Sequence, residues 1–305
     1  MSVNLSVSLG TLRLKNPVTV ASGTYGYGKS YDGYYPPSNL GGIVIKGITS
    51  ASRFGNPTPR ICETPSGMLN SIGLQNIGID ELERNYAELF KDVDTAIIAN
   101  ISGINGSDFA ELATRVSAIP QISAVELNVS CPNLKSGGVD FGKNPAAIRD
   151  ITKASIAATA LPVFVKLTPN ITDIVSVASA AMEAGATGVS LINTVQAMKI
   201  DIENRVPYLR NTVGGLSGPA IHPIAVRMVW QVWKSLRCPI IGMGGITCAE
   251  DAIELMMAGA CAISIGTMNF VNPMIGNDII NDISDWCEDH DVSSACDLVG
   301  CAHNK

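Results

Sequence analysis

Eight short apolar runs recur along the chain, and their pattern predicts the strands of a parallel sheet. The runs are rich in Val, Ile, Leu and Ala and do not alternate apolar with polar positions, as expected for strands covered on both faces. They are PVTVASG (17–23), GGIVIKG (41–47), TAIIANISG (95–103), AVELNVSC (124–131), PVFVKLTP (162–169), GVSLINT (188–194), PIIGMGGI (239–246) and AISIGT (262–267). A helix-compatible segment follows each run, so the sequence predicts repeated β/α units.

The segments between the runs carry apolar residues at helical spacing. Predicted helices cover 80–90, 109–118, 145–158, 172–184, 220–236 and 249–258. Asn144-Pro145 and Gly218-Pro219 are expected helix starts, because Pro fits the first helical turn. Eight regular units favour a closed (β/α)₈ TIM barrel over the alternative, an open doubly wound sheet. Residues 4–17, with two short alternating strands around Gly10, predict a hairpin that closes the bottom of the barrel.

Length, composition and charge limit the remaining possibilities. A barrel of this class accommodates all 305 residues, so we expect one domain, 1–305, with loop insertions at its C-terminal face. A formal net charge of -6 and the lack of basic runs argue against nucleic-acid binding. The eight cysteines have no zinc-type spacing and are expected to be reduced. Without a targeting segment or a run of about 20 apolar residues, we expect a cytoplasmic protein that does not enter the membrane.

Polar residues collect where the predicted strands end. They are Ser22, Lys46, Asn100, Asn128, Cys131, Lys166, Asn193 and Thr194. In a (β/α)₈ barrel all these ends open onto one face, which is where such folds place their chemistry. The two lysines interrupt apolar strands; one alone would be read as a side chain reaching the rim, but two at one mouth favour binding of an anionic or electron-rich ligand.

Glycines 242, 244, 245 and 266 follow the last two strands, where loops commonly bind a phosphate through backbone N–H groups. They favour an FMN-like or sugar-phosphate ligand, and no dinucleotide fingerprint follows the first strand. Residues 67–78 are predicted to be an irregular insertion with amides at Asn70, Gln75 and Asn76, and a surface loop and a pocket wall are equally good interpretations.

Cys131 differs from an ordinary buried cysteine, because it lies between polar residues at a strand end and precedes a glycine-rich stretch. The three histidines fall in helical or terminal contexts, which argues against a Cys-His hydrolase. A lone thiol, with an ordinary pKa of about 8.5, suits the removal of a single proton.

With these motifs in order, the chain resembles the class 1 dihydroorotate dehydrogenases, and among them class 1B. The stretches that carry the resemblance are ASGTYGYG (21–28), IVIKGIT (43–49), GNPTPR (55–60), GMLNSIGLQN (67–76), ELNVSCPNLKSGGVDFG (126–142), VKLTPN (165–170), INT (192–194), GGLSGPAI (214–221), GMGGI (242–246) and SIGTMNF (264–270). The resemblance implies oxidation of dihydroorotate to orotate, a step of pyrimidine (UMP) biosynthesis, with FMN in the barrel mouth.

The resemblance also implies roles for individual residues. Those matching the FMN positions are Ser22, Lys46, Gly47, Asn100, Asn128, Lys166, Ile192, Gly218, Gly244, Gly245, Gly266 and Thr267. Those matching the substrate positions are Lys46, Asn70, Ser71, Ile72, Gly73, Leu74, Asn128, Asn193 and Thr194. Cys131 matches the catalytic base, which would take a proton from C5 of dihydroorotate while hydride leaves C6 for the flavin on the opposite face. No metal ligand is implied.

Class 1B also implies a partner subunit that carries FAD and a [2Fe-2S] cluster and delivers electrons to NAD⁺, in a heterotetramer of two catalytic and two electron-transfer chains. This chain has no iron-sulfur cysteine spacing and no dinucleotide fingerprint, so NAD⁺ reduction would require that partner. Three alternatives stay open from the sequence: a class 1A-like homodimer that reduces fumarate, a non-redox barrel acting on a phosphate-sugar, and a catalytically silent scaffold.

Overall fold

The computed structural model describes residues 3–28, 30–130 and 141–303. Its centre is a closed barrel of eight strands, every neighbouring pair of which is parallel. The barrel strands are β3 (Val18–Val20), β4 (Gly42–Val44), β7 (Ala96–Ile101), β8 (Ile122–Asn128), β9 (Val163–Lys166), β10 (Gly188–Leu191), β15 (Ile240–Gly242) and β16 (Ala262–Ile265). Each overlaps one predicted apolar run, so the predicted (β/α)₈ barrel is confirmed.

The predicted N-terminal hairpin is also confirmed. Strand β1 (Val7–Leu9) pairs antiparallel with β2 (Leu12–Leu14), and Gly10 in the turn has a φ of +63°. A Cβ built at Gly10 would lie 2.7 Å from Cγ2 of Thr187, the residue just before β10. Because Thr187 marks the N-terminal end of a barrel strand, the hairpin covers the bottom of the barrel.

Helices surround the barrel. The longer ones are α2 (Gly106–Ser117), α3 (Pro145–Ala157), α4 (Ile174–Glu183), α5 (His222–Leu236), α6 (Ala249–Ala258) and α8 (Ile275–Asp289); α1 (Ile79–Glu81) and α7 (Met268–Val271) are short. Five of the six predicted helices match α2 to α6. The sixth, 80–90, is helical but irregular: α1 continues into a π turn (Leu82–Tyr86) and a 3₁₀ turn (Ala87–Phe90).

Further 3₁₀ turns occupy Pro37–Asn39, Phe141–Lys143, Pro219–Ile221, Ala295–Leu298 and Cys301–His303. The turn at Pro219–Ile221 leads straight into α5, as the predicted start at Gly218-Pro219 requires. Asn144 caps α3, its side chain accepting from the backbone N–H of Ala146.

The insertions at the C-terminal end of the barrel form small antiparallel sheets. Their strands are β5 (Ile61–Thr64), β6 (Gly67–Asn70), β11 (Val195–Ala197), β12 (Ile200–Asp201), β13 (Val206–Pro207) and β14 (Gly214–Ser217). One sheet has the order β11–β14–β6–β5, and the other pairs β12 with β13. The prediction that 67–78 is irregular throughout is therefore wrong for Gly67–Asn70, whose strand geometry comes from pairing with β5 and β14 on its two sides.

Among the described residues, no helix combines the length and the apolar character that crossing a bilayer requires.

Candidate active site

The ends of four consecutive barrel strands bring several of the predicted residues into register. Asn100 on β7 is aligned with Glu126 on β8. Asn128, at the end of β8, is aligned with Lys166 at the end of β9, which in turn is aligned with Ser190 on β10. Amide and ammonium groups from separate parts of the sequence therefore share one end of the barrel.

Asn100 has one satisfied and one unsatisfied amide atom. Its side chain is fully buried, and Nδ2 donates to Oε1 of Glu126 at 2.6 Å. Its Oδ1 is buried without a hydrogen-bond partner among the described residues. A Cβ built at Gly47 would lie 2.7 Å from this oxygen and 3.9 Å from Oγ of Ser22, so three of the predicted residues are immediate neighbours. A buried orphan acceptor of this kind calls for an N–H donor from elsewhere.

Lys166 is 6% exposed, and its ammonium lies 3.8 Å from Oε1 of Glu126. Within the described ranges no acceptor lies at hydrogen-bond distance from its Nζ. Lys46 is partly buried at the end of β4, and a Cβ built at Gly23 would lie 4.0 Å from its Nζ. Burial, followed by the charge of Arg60, lowers the pKa of Lys46. The two ammonium groups predicted for the mouth are thus held in different electrostatic settings.

Glu126 and Ser190 belong to this site but were not among the predicted residues. Oε2 of Glu126 accepts from Oγ of Ser190 at 2.6 Å, and both side chains are fully buried. The signal that identified the lysines, a charged residue inside an apolar strand, was also present for Glu126. Ser190 had no such signal, because a lone serine within a strand is common.

Glycines from two loops meet near the start of α5, beside Ile192 from a third. A Cβ built at Gly245 would lie 2.8 Å from the carbonyl oxygen of Gly218, and one built at Gly244 would lie 3.3 Å from Cγ1 of Ile192. The Gly244 carbonyl is 2.8 Å from Nδ1 of His222, on the first turn of α5. The predicted residues Ile192, Gly218, Gly244 and Gly245 are thus brought together.

Gly266 and Thr267 follow β16. No heavy atom of the described residues lies within 4 Å of a Cβ built at Gly266, so this backbone faces open space. Oγ1 of Thr267 donates to Oγ of Ser217 at 2.7 Å, which joins the end of β16 to the end of β14. Gly242 differs from the other predicted glycines: it ends β15, and its Cβ position lies 2.8 Å from Cβ of Ala260, which indicates close packing.

The predicted substrate residues of the 70–74 segment follow β6. Asn70 is aligned with Gly215 on β14, and a Cβ built at Gly215 would overlap Oγ1 of Thr194. Asn70 and Thr194 therefore flank the same backbone. Oδ1 of Asn193 accepts from the Thr194 backbone N–H at 2.8 Å.

Asn56 fixes the next part of this loop, because its Nδ2 donates to the Ser71 carbonyl at 2.9 Å and its N–H to the Ile72 carbonyl at 2.9 Å. Oγ of Ser71 is buried without a partner among the described residues. Gly73 and Leu74 both have positive φ, +77° and +55°.

The other two amides of the 67–78 segment have structural partners. Gln75 accepts from Arg60. Asn76 is buried, and its Nδ2 donates to Oγ1 of Thr49 at 2.8 Å. Both amides hold the loop in place instead of lining the mouth of the barrel. Of the three amides noted in the sequence, only Asn70 lies among the mouth residues.

Cys131 lies outside the described residues. The residues before it are described: Oγ of Ser130 donates to the Lys166 carbonyl at 2.9 Å, and its N–H donates to Oδ1 of Asn128 at 3.3 Å. The chain thus leaves β8 beside Lys166 at the mouth.

Known proteins are similar to this chain over nearly its whole length. The family model described as Dihydroorotate dehydrogenase matches residues 4–286. A protein of Desulforamulus reducens named dihydroorotate dehydrogenase B (NAD(+)), catalytic subunit, is 50% identical over 99% of this chain and 100% of its own length. Proteins of the same name from Trichlorobacter lovleyi and Pelobacter propionicus are each 47% identical over 98% of this chain and 99% of their own lengths.

Proposed function

The chain belongs to the dihydroorotate dehydrogenase family, and on that premise we propose that it oxidises dihydroorotate to orotate in pyrimidine biosynthesis and passes the electrons to NAD⁺ through a partner subunit. The observation that carries the proposal is that one barrel mouth holds both an acceptor and a donor that have no hydrogen-bond partner among the described residues. Oδ1 of Asn100 is buried and unpartnered, and the Lys166 ammonium makes no hydrogen bond among the described residues.

These groups fit the ring of FMN, which we propose as the cofactor, one per barrel domain. An isoalloxazine ring offers an N–H for Asn100 and acceptor atoms for Lys166 and Asn128. Bound FMN supplies the hydride acceptor for the reaction. Lys166, a buried cation, stabilises the negative charge that accumulates in the mouth during turnover.

The glycine loops fit a phosphate group. Gly244 and Gly245 lie against the first two turns of α5, where a helix N-terminus favours an anion, and the backbone of Gly266 faces open space. Thr267 adds a hydroxyl whose position is set by Ser217. Ser22, Lys46, Gly47 and Ile192 complete the proposed FMN contacts.

We place the substrate over the 70–74 segment and the ends of β4, β8 and β10. Lys46 pairs with its carboxylate, because no salt-bridge partner of Lys46 is found among the described residues. Asn70, Asn128, Asn193 and Thr194 exchange hydrogen bonds with its imide-like edge. Residues 71–74 form the adjoining wall, and Cys131 removes the C5 proton.

A separate subunit explains how electrons reach NAD⁺. The relatives are named as catalytic subunits, which supports a partner for this chain. In the described ranges the cysteines form no cluster of metal ligands; the only such group is His222, Asp251 and Glu254. We propose that FAD and a [2Fe-2S] cluster reside on the partner, in a cytoplasmic heterotetramer of two copies of each subunit.

The test is to purify the chain alone and with the proteins that accompany it in its native source. We expect a yellow protein whose FMN is bleached by dihydroorotate without air, with NAD⁺ reduced only when the partner is present. A colourless protein would refute the proposal. Reduction of fumarate by the chain alone would favour the homodimeric alternative.

Cys131→Ala tests the base. We expect the variant to keep its yellow FMN complex and to lose nearly all reduction of FMN by dihydroorotate, since proton removal from C5 would lack its acceptor. Bleaching at the wild-type rate would remove Cys131 from the mechanism.

A further inference from the structure

A fully buried carboxylate stands at the centre of the mouth network. Both oxygens of Glu126 accept short hydrogen bonds, from Nδ2 of Asn100 and from Oγ of Ser190, each at 2.6 Å. Ser190 lies on β10, which is separated from β8 by β9 in the barrel order. The Ser190 bond therefore crosses the inside of the barrel, and Glu126 links three strands that carry mouth residues.

Burial of a carboxylate is costly unless charge and hydrogen bonds compensate it, and a well-packed apolar side chain would often be the more stable choice. Glu126 is compensated on both counts, by two donors and by the Lys166 ammonium at 3.8 Å. Because burial of the Glu126 charge is costly, we expect its role to lie in its effect on the neighbouring side chains.

The first neighbour is Asn100. A carboxylate only accepts hydrogen bonds, so the Asn100 amide must turn its NH₂ group toward Glu126. Its Oδ1 is thereby directed to the Gly47 side, where it stays without a partner among the described residues. Glu126 thus fixes Asn100 as an acceptor for whatever binds there.

The second neighbour is Lys166. A separation of 3.8 Å exceeds a normal hydrogen bond but allows strong electrostatic attraction in a buried site. Glu126 therefore balances the charge of the ammonium without using its N–H groups. Those N–H groups stay available for a ligand acceptor.

We propose that Glu126 is a positioning residue of the flavin site, which acts by orienting the Asn100 amide and by balancing the charge of Lys166. The proposal rests on the proposed function for the identity of the ligand. It adds that the reduction potential of the bound flavin is set jointly by Lys166 and a carboxylate that does not touch the flavin.

Glu126→Gln separates charge from hydrogen bonding. The amide oxygen of Gln can still accept from Asn100, and its NH₂ can donate to Ser190, which changes from donor to acceptor. Both contacts are thus kept while the negative charge is lost. We expect FMN affinity within about threefold of the wild type. We expect a tenfold shift in the flavin equilibrium toward the reduced form, which is about 30 mV for a two-electron couple, measured by equilibrium redox titration of the bound flavin.

Glu126→Leu removes both functions. The Asn100 amide loses its fixed partner, so we expect FMN affinity to fall at least tenfold in a fluorescence titration of the apoprotein. Val125→Ala is the matched control, since Val125 is the preceding, fully buried residue of the same strand and points to the opposite face. It should lower stability while leaving the affinity and the potential unchanged.

A double-mutant cycle on the apoprotein tests the Lys166 pairing without any flavin. Glu126→Gln and Lys166→Met each leave one buried charge unbalanced, so we expect the double variant to resist urea unfolding better than either single variant. Additive effects would overturn the pairing, and a wild-type potential in Glu126→Gln would overturn the role toward the flavin. A wild-type protein that binds no FMN while the cycle still shows coupling would refute the proposed function alone.

Discussion

Gly266 offers a direct test of where the phosphate of the proposed FMN binds. A Cβ added there meets no described heavy atom within 4 Å, and the backbone is outside the left-handed region. Gly266→Ala should therefore fit the apoprotein without strain. If the phosphate lies against this backbone, however, the added methyl group occupies space that the ligand needs.

The two effects have opposite signs, and both can be estimated. Replacing Gly by Ala at a compatible position stabilises the fold by about 0.4–1 kcal/mol, because the unfolded chain loses freedom. Crowding a well-packed contact by one methyl costs about 1–3 kcal/mol, which weakens FMN binding by about 5- to 150-fold. We expect Gly266→Ala to be as stable as the wild type or slightly more stable, and to bind FMN much more weakly.

Two other glycines supply the controls. Gly33 also faces open space but is not among the predicted site residues, so Gly33→Ala should show the same small gain in stability with unchanged FMN affinity. Gly245 has a φ of +72°, and its Cβ position lies 2.8 Å from the Gly218 carbonyl oxygen and 2.9 Å from the His222 nitrogen. Left-handed strain of about 1–2 kcal/mol plus crowding of about 1–3 kcal/mol should make Gly245→Ala destabilising even without ligand.

The assay combines urea unfolding of the apoprotein with quenching of FMN fluorescence on binding. Wild-type FMN affinity in Gly266→Ala would refute the placement of the phosphate at the end of β16. Destabilised apoprotein would refute the geometry itself, since the position would then not be open.

Two further predictions concern a lysine and the core. Burial, and then the charge of Arg60, lowers the pKa of Lys46 from its ordinary value of 10.5, so between the lowered pKa and 10.5 the unfolded chain binds more protons than the folded one. Below the lowered pKa, the charge of Lys46 destabilises the folded state by its full amount, and this destabilisation is lost as the pH rises towards 10.5. The difference in unfolding free energy between Lys46→Met and wild type should therefore narrow at alkaline pH. Over the same window orotate binding to the wild type should weaken, as orotate titrations at several pH values would show; a pH-independent affinity would contradict the carboxylate pairing. Phe109 is a fully buried residue of α2. Phe109→Ala should lower the free energy of unfolding by about 3–5 kcal/mol while leaving FMN affinity intact. A loss of affinity would mean that α2 shapes the mouth.

Much of the barrel could be predicted because each strand is buried on both faces and therefore reads as a continuous apolar run. Helix α6 was predicted with both of its ends, since apolar spacing stops at a glycine that has a φ of +127°. Helix α2 starts three residues before its prediction, because Asn105 caps it through the Asp108 N–H. Helix α8 was not predicted, although Ile275, Ile279 and Ile283 recur every four residues along its buried face.

The four-stranded sheet formed by the insertions could not be predicted from the sequence, for a physical reason. Its strands have only three or four residues, and β6 pairs with β14, which lies far away in the chain. Such strands have too few positions to show a period, and only the completed barrel brings them together. The same reasoning applies to Ser190, whose role depends on a carboxylate two strands away.

The two lysines of the mouth differ in the charges that surround them. Lys166 has a carboxylate 3.8 Å away, so its charge is balanced before any ligand arrives. Lys46 has no salt-bridge partner in the described part of the chain, and the charge that acts on it, that of Arg60, has the same sign. An incoming anion would relieve that repulsion and the cost of burial, so under the proposed function we expect affinity for the substrate carboxylate to be concentrated at Lys46. Lys166 is already paired with Glu126, so we expect it to gain less from a permanent anion than Lys46 does, and to stabilise instead the charge that the proposed flavin develops during turnover.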